Sequence, residues 1–315
     1  MKKDYIEKIQ LIREEMKKVI VWQDNLVRDL LIGLFARGHV LLEGVPGLGK
    51  TLSISTLARV VDGKFHRIQF TPDLLPSDLI GARVYNQNTG EFSIKKWPIF
   101  ANFILADEIN RAPAKVQSAL LEAMAERQVT IWEETFVLDK PFIVLATQNP
   151  IEQDGTYNLP EAQLDRFLLK TIVEYPTEEE EIQIMKKNFK DIEKIEKQIS
   201  KKEILEIQKH IEEDIFVDEA IFKYVKDIVF YTRKKDWKIF SFLQYGASPR
   251  ASIALIHCAK VLAFLQGRDF VIPEDIKEVA YPVLRHRLIL SYEALADDVT
   301  KDEVISMILD TVKMS

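Results

Sequence analysis

Cysteine is almost absent. Cys258 is the one thiol in 315 residues, so no disulfide can close within the chain, which fits a reducing compartment. It stands in the apolar run Ala254-Leu255-Ile256-His257-Cys258-Ala259 and reads as buried core. No apolar stretch is long enough to cross a bilayer. The start, Met1-Lys2-Lys3-Asp4-Tyr5-Ile6, leads into mixed charge, so neither a signal peptide nor a membrane span is expected and the protein is read as cytoplasmic. A basic excess is missing too. The 43 Lys and Arg face 49 Asp and Glu, a net charge of −6, so bulk charge gives no support for nucleic-acid binding, although a local basic pore stays open. His66, His210, His257 and His286 show no metal-ligand spacing, and His39, inside an apolar run, reads as structural. There is no internal repeat and no low-complexity segment.

What is present is ample apolar material. Hydrophobic residues make up 47% of a chain long enough for two domains, so each can hold a packed core. From Tyr5 to Val19, Ile6, Ile9, Ile12 and Met16 recur at helical spacing, and a second helix is expected over Asn25–Ala36. Then His39–Glu43 reads as a buried strand, Lys50–Val61 as a helix and Phe65–Phe70 as a strand, the opening of a parallel α/β sheet. Further strands are expected over Phe103–Ala106, Phe142–Ala146 and Phe167–Val173, with a helix over Lys115–Glu126. Arg83–Lys95, with the turn cluster Asn86-Gln87-Asn88-Thr89-Gly90, and Val129–Leu138 read as two hairpins that interrupt this rhythm.

After Pro176 the composition shifts to helices with no clear strand. They are expected over Glu178–Phe189, Lys202–Ile211, Asp218–Thr232, Pro249–Gln266, Pro273–His286 and Lys301–Val312, the last opened by the capping-box spacing of Thr300 and Glu303. The charges of Glu178 to Lys202 read as solvated helix faces, and the aromatic stretch Phe240–Tyr245 as core of the helical part. The expected division is residues 1–176, an α/β domain with an N-terminal helix, and residues 177–315, an all-helical domain.

Gly44-Val45-Pro46-Gly47-Leu48-Gly49-Lys50-Thr51 matches the P-loop pattern, with Leu52 following in the helix. Glycines let backbone N–H groups turn in around phosphate oxygens, Lys50 brings charge to the β and γ phosphates, and the Thr51 hydroxyl suits Mg2+. The helix that starts there adds its positive end. Phe103–Glu108 is an apolar strand ending in two acids: Asp107 suits Mg2+ through water, and Glu108 suits the orienting of an attacking water. Asn149, in Ala146-Thr147-Gln148-Asn149-Pro150, ends the next apolar strand, where an amide can sense a γ-phosphate. Ser248-Pro249-Arg250 opens a helix with a good cap and a good first-turn residue, but Arg250 opposes the helix dipole there, a placement that calls for a nearby anion. Arg166, just before the last strand, is by itself an ordinary helix-end arginine.

These motifs, in this order, resemble the AAA+ superfamily and more closely its MoxR family. The phrases that carry the likeness are Gly38–Gly47, Leu105–Pro113, Leu120–Thr130, Ala146–Glu152, Gly155-Thr156-Tyr157 with Leu159–Phe167, and Gly246–Arg250, so it runs from about Ile20 to Leu290. The resemblance implies a five-stranded parallel core with hairpin inserts facing a pore, a helical lid, and ATP with Mg2+ at the junction of subunits in a homo-oligomeric ring, a hexamer. It makes Asn149 sensor 1, Arg250 sensor 2 and Arg166 an arginine finger for the next subunit, and turns Arg111 toward the neighbouring site. It also implies chaperone-like remodelling of protein complexes, with a separate von Willebrand factor A domain protein as partner. Trp97, in Lys96-Trp97-Pro98, and Trp22, near the expected adenine, stand where the family commonly has glycine. The alternatives are a nucleic-acid-acting ring motor, disfavoured by the acidic tip Glu133-Glu134 but kept open by Arg83, Lys95 and Lys96, a chelatase-type motor, and a non-hydrolysing scaffold, disfavoured by intact Lys50, Asp107, Glu108 and Asn149.

Overall fold

Short apolar runs buried on both faces form parallel strands, and here they do. The computed structural model describes residues 2–20, 23–45, 47–87, 90–148, 157–186, 195–234 and 241–314. Trp22, Pro46, Asn149 and the segment through Thr156, the end of the helix expected to reach Phe189, and Phe240 lie outside the described residues. Helices α1 (Lys2–Val19) and α2 (Asp24–Phe35) lead into β1 (Val40–Glu43), α3 (Lys50–Val60) and β2 (Phe65–Gln69). A short helix α4 (Pro76–Ile80) precedes the hairpin of β3 (Gly81–Asn86) and β4 (Glu91–Lys96). There follow β5 (Phe103–Asp107), a 3-10 turn over Ile109–Arg111, α5 (Ala114–Glu126), the hairpin of β6 (Gln128–Ile131) and β7 (Glu134–Val137), β8 (Ile143–Gln148), α6 (Glu161–Leu164) and β9 (Leu169–Ile172).

The central sheet is parallel and five-stranded, in the order β2-β5-β8-β1-β9. Successive strand residues face opposite sides, which splits the core in two. Val40, Leu42, Phe103, Leu105, Ile143, Leu145 and Leu169 face one side, continuous with α1, α2, α3 and the C-terminal helices. Leu41, Ile104, Ala106, Val144 and Ala146 face the other, against α4 and α5. The last strand is shorter than Phe167–Val173. The Phe167 amide turns back to the Leu164 carbonyl, and only after Leu168 bonds to His39 does the ladder begin.

The C-terminal part comprises α7 (Glu178–Lys186), α8 (Lys201–Asp214), α9 (Glu219–Tyr231), α10 (Pro249–Leu265), α11 (Pro273–Leu284), α12 (Tyr292–Ala296) and α13 (Lys301–Thr311). Thr300 and Glu303 form the expected capping box of α13, and Ser200 and Glu203 form another at α8. To this helical unit is added one short antiparallel pair, β10 (Leu243–Tyr245) with β11 (Ile289–Leu290). Its strands are too short to leave a period-2 pattern, so the sequence showed only helices. Leu243 is core as expected, whereas Tyr245 is exposed. Cys258 is fully buried, and burial pushes its thiol up, away from reactivity. Among the described residues no helix is long and apolar enough to cross a membrane.

Candidate functional site

Strand β1 delivers the chain to Gly44, where a side chain would not fit. A Cβ there would stand 2.7 Å from the Val173 carbonyl oxygen. Gly47 (φ +88°) and Gly49 (φ +70°) take left-handed conformations that only glycine adopts without strain, and nothing lies within 4 Å of where a Cβ on Gly47 would be. The loop is therefore a backbone cradle with open space above it, ending at the first turn of α3. Leu48 is buried in the core with Leu52 packed against it, which anchors the loop from below. The Gln23 amide donates to the Leu48 carbonyl at 2.6 Å. Lys50 Nζ donates to the Gly44 carbonyl at 2.6 Å. Burial pushes its amine down, against the pull of Asp107 and Glu108.

The two acids end β5 and are held by neighbouring strands. Thr147 on β8 donates to Asp107 Oδ1 at 2.6 Å and accepts the Glu108 N–H at 2.8 Å. Arg67 on β2 donates to Asp107 Oδ2 from Nε (3.0 Å) and Nη2 (2.5 Å). The Gln69 amide, opposite Asp107 in the β2–β5 register, donates to Glu108 Oε2 at 2.8 Å, and Arg111 Nε stands 3.3 Å from the same oxygen. Glu108 has φ +55°, a left-handed backbone that costs about 1 kcal/mol in a residue with a Cβ. The Thr147 bond to its N–H helps hold it. Arg67, Gln69 and Thr147 were not singled out from sequence; only the strand order brings them to the acids.

Glycine cradle, half-buried lysine, the Thr51 hydroxyl at the start of α3 and two strand-end carboxylates match the donor set that a triphosphate with Mg2+ requires. A cavity of about 610 Å³ opens beside it, between the start of α2, the end of β9 and α11. Gln23 and Val173, which touch the loop, line it, with Asp29, Tyr175 and Tyr281. Burial pushes the Asp29 carboxyl up, while Arg28 and a 2.8 Å bond from Thr171 oppose the shift.

Arg166 and Arg250 are not brought to this loop. Asp165–Leu168 precede β9, at the amino ends of the strands, whereas Gly44–Lys50 follow their carboxyl ends. Arg250 lies in the first turn of α10, and the anion its placement called for is a carboxylate of its own chain: Asp165 Oδ2, 3.4 Å away and also bonded by the Ser248 hydroxyl at 2.8 Å. Among the described residues Arg166 makes one long contact, 3.4 Å to the Leu121 carbonyl.

The two hairpins lie against each other and carry exposed aromatics. Arg83 stands over Phe92 (4.3 Å) and Trp132 (5.6 Å), Lys95 over Trp97 (4.5 Å) and Lys96 over Phe136 (4.3 Å). The cations that kept a nucleic-acid reading open are thus engaged with rings. Trp97 supplies one of those rings, a use glycine could not have.

Comparison with known proteins agrees with the geometry. Residues 39–169 match the ATPase family associated with various cellular activities (AAA), and residues 241–308 match the AAA lid domain. Chaperone MoxR1 of Mycobacterium tuberculosis is 52% identical over 95% of this chain and 80% of its own length. The protein YeaC of Bacillus subtilis is 44% identical over 96% of this chain and 93% of its own, and Protein MoxR of Methylorubrum extorquens 31% over 98% and 96%. A solved structure from Cytophaga hutchinsonii superposes with a TM-score of 0.92 at 50% identity, covering 100% of this chain and 97% of that one. With its five-stranded parallel core, its lid and its glycine cradle beside two strand-end acids, the chain belongs to the MoxR family of AAA+ ATPases.

Proposed function

We propose that the protein hydrolyses ATP to ADP and phosphate, with Mg2+, at junctions between copies in a hexameric ring, and that turnover drives the remodelling or maturation of other protein complexes. One observation carries the reading. Lys50, Asp107 and Glu108 stand at the carboxyl ends of the strands and Arg166 at the amino ends. Strands β1 and β9 pair in register over four residues, about 13 Å. An arginine at the amino end of β9 is therefore a strand's length from phosphates at Lys50 of its own chain, and suits those of a neighbour.

In this reading the N–H groups of Gly44, Val45, Gly47, Leu48 and Gly49 cradle phosphate, Pro46 has no N–H and only shapes the loop, and Leu52 braces the helix behind them. Lys50 neutralises the β and γ oxygens. Thr51 and Asp107 hold Mg2+, which supplies charge neutralisation and orientation of the phosphates. Glu108 polarises the attacking water, its carboxylate aimed by Gln69 and Arg111. Asn149 serves as sensor on the strength of its motif. The cavity beside Gln23 suits base and ribose, its volume being in the range of small-ligand pockets. Arg250, tied to Asp165, stands with Arg166 and is assigned with it to the neighbour's nucleotide. The working division is residues 1–176 for nucleotide and 177–315 for the lid, supported by the turn from β9 into α7.

The relative from Mycobacterium tuberculosis is called a chaperone, which supports a protein client. That client, a von Willebrand factor A domain protein in the family pattern, is a separate chain. Charge pattern and buried thiol suit a cytoplasmic setting.

The test is the ATPase rate against protein concentration for Arg166→Ala, Glu108→Gln and their mixture. Each variant alone should bind ATP and lose most turnover. The mixture should regain activity, because some junctions then pair an intact Glu108 with an intact Arg166. No recovery, with a wild-type rate per subunit that is flat in concentration, sinks the shared site.

A further inference from the structure

At the end of α11 the side chain of Arg287 is almost wholly enclosed, 3% exposed, and its fork closes around the segment that carries Arg166. Nε donates to Asp165 Oδ1 at 2.8 Å, Nη2 to the Phe167 carbonyl at 2.7 Å and Nη1 to the Leu168 carbonyl at 3.1 Å. Nη1 also bonds the Val283 carbonyl within α11. His286 adds a 2.9 Å contact from Nε2 to the Phe167 carbonyl. One guanidinium thus grips the residue before Arg166 and the two after it, while among the described residues Arg166 itself has only the 3.4 Å contact to Leu121.

We propose that Arg287 is a positioning residue for Arg166: from the lid it fixes the backbone that presents the arginine finger to the neighbouring copy. This rests on the reading that Arg166 acts in trans. The chemistry favours it over a simple glue between the two parts of the chain. A planar fork with five donors constrains direction as well as distance, which a lysine cannot do. The constraint falls on the backbone on both sides of Arg166 and leaves its side chain the reach a contact across a junction needs. Asp165 makes the grip two-sided, since its second oxygen takes Ser248 and Arg250 of the same lid. Rotation of the lid in one copy therefore shifts the finger that this copy lends to the next. A misplacement of about 1 Å in such a group can lower turnover by roughly 100-fold.

The experiment uses the full chain with Arg287→Lys, which keeps the charge beside Asp165 and loses the fork; Asp165→Asn is the second variant should the lysine form melt early. Expected is a fall in kcat of roughly tenfold or more with KM and the affinity for a fluorescent ATP analogue within about threefold. The decisive readout is mixing. With Glu108→Gln, the Arg287→Lys chain keeps its own intact site and borrows an intact finger, so activity should return at about one junction in four of a random ring. With Arg166→Ala no activity should return, because neither partner lends a working finger. Wild-type kcat in both variants overturns the proposal. So does a silent mixture with Glu108→Gln when Arg166→Ala mixed with Glu108→Gln recovers, since Arg287 would then serve its own site. If that control mixture is silent as well, the trans reading fails and the proposal falls with it.

Discussion

Lys50 is the residue on which the proposed phosphate site turns. Its amine is half-buried, bonded to the Gly44 carbonyl, and within range of both strand-end acids. A charge-assisted bond of this kind contributes about 1.5–3 kcal/mol. Lys50→Ala should therefore weaken the affinity for a fluorescent ATP analogue by roughly 10- to 100-fold. Titration of the purified variant reads this directly, and unchanged affinity would remove Lys50 from the phosphate site. The acids are a different case. Asp107 and Glu108 owe their geometry to three side chains on neighbouring strands, Thr147, Arg67 and Gln69, and to Arg111 one turn further along the chain. A carboxylate fixed in this way is set in place before substrate arrives, which favours catalysis by removing reorganisation.

At the scale of elements, α8 joins the lid to the α/β part. Ile204, Ile207 and Ile211 enter the core shared with α1 and α2, and the Gln208 amide donates to the Leu34 carbonyl at 2.7 Å. Ser200 starts this helix: its hydroxyl accepts the Glu203 N–H and the Glu203 carboxylate accepts the Ser200 N–H. Ser200→Ala should lower the unfolding free energy by about 1 kcal/mol, measured by urea titration, with the ATPase rate of the folded protein unchanged. A loss near zero would show that α8 is fixed by packing alone. The capping boxes of α8 and α13 share one spacing, yet of these two only Thr300-Lys301-Asp302-Glu303 is evident in sequence. Ser200-Lys201-Lys202-Glu203 was absorbed into the solvated charge run from Glu178 to Lys202, because charge density there hides a local hydrogen-bonding signal. The bulk of the sheet, by contrast, was legible, since strands buried on both faces have no alternation to obscure them.

For the whole molecule, two enclosed histidines predict how stability depends on pH. His39 Nδ1 accepts the Val144 N–H at 2.9 Å, and Nε2 lies 3.2 Å from the Met124 carbonyl. That arrangement requires the neutral ring, and burial lowers its pKa from 6.5 to about 4. Burial lowers His286 in the same direction. Because the folded pKa is depressed, the unfolded chain binds the extra proton between pH 6.5 and about 4. Stability therefore rises with pH across that window and is lost as pH falls through it. At about 1.4 kcal/mol per pH unit, His39 accounts for a loss of about 3 kcal/mol on full protonation. Urea unfolding at mildly acidic and neutral pH should give a clearly lower free energy in acid, and His39→Gln should flatten the dependence. Equal free energies at both pH values would contradict it.

Features whose chemistry is local can be read along the chain. A phosphate cradle needs closely spaced glycines ahead of a helix, and a metal-side acid needs a strand end, so the candidates Gly44–Thr51, Asp107 and Glu108 could be read from neighbours in the chain. Which side chains meet across the fold follows only from how the elements pack. Arg67 and Gln69 reach the acids because β2 lies beside β5; Arg250 finds its anion in Asp165; Arg287, just past α11, closes on the backbone either side of Arg166. Strand order and helix docking set these pairs, and hydrophobic periodicity, which records only what faces the core, is blind to both.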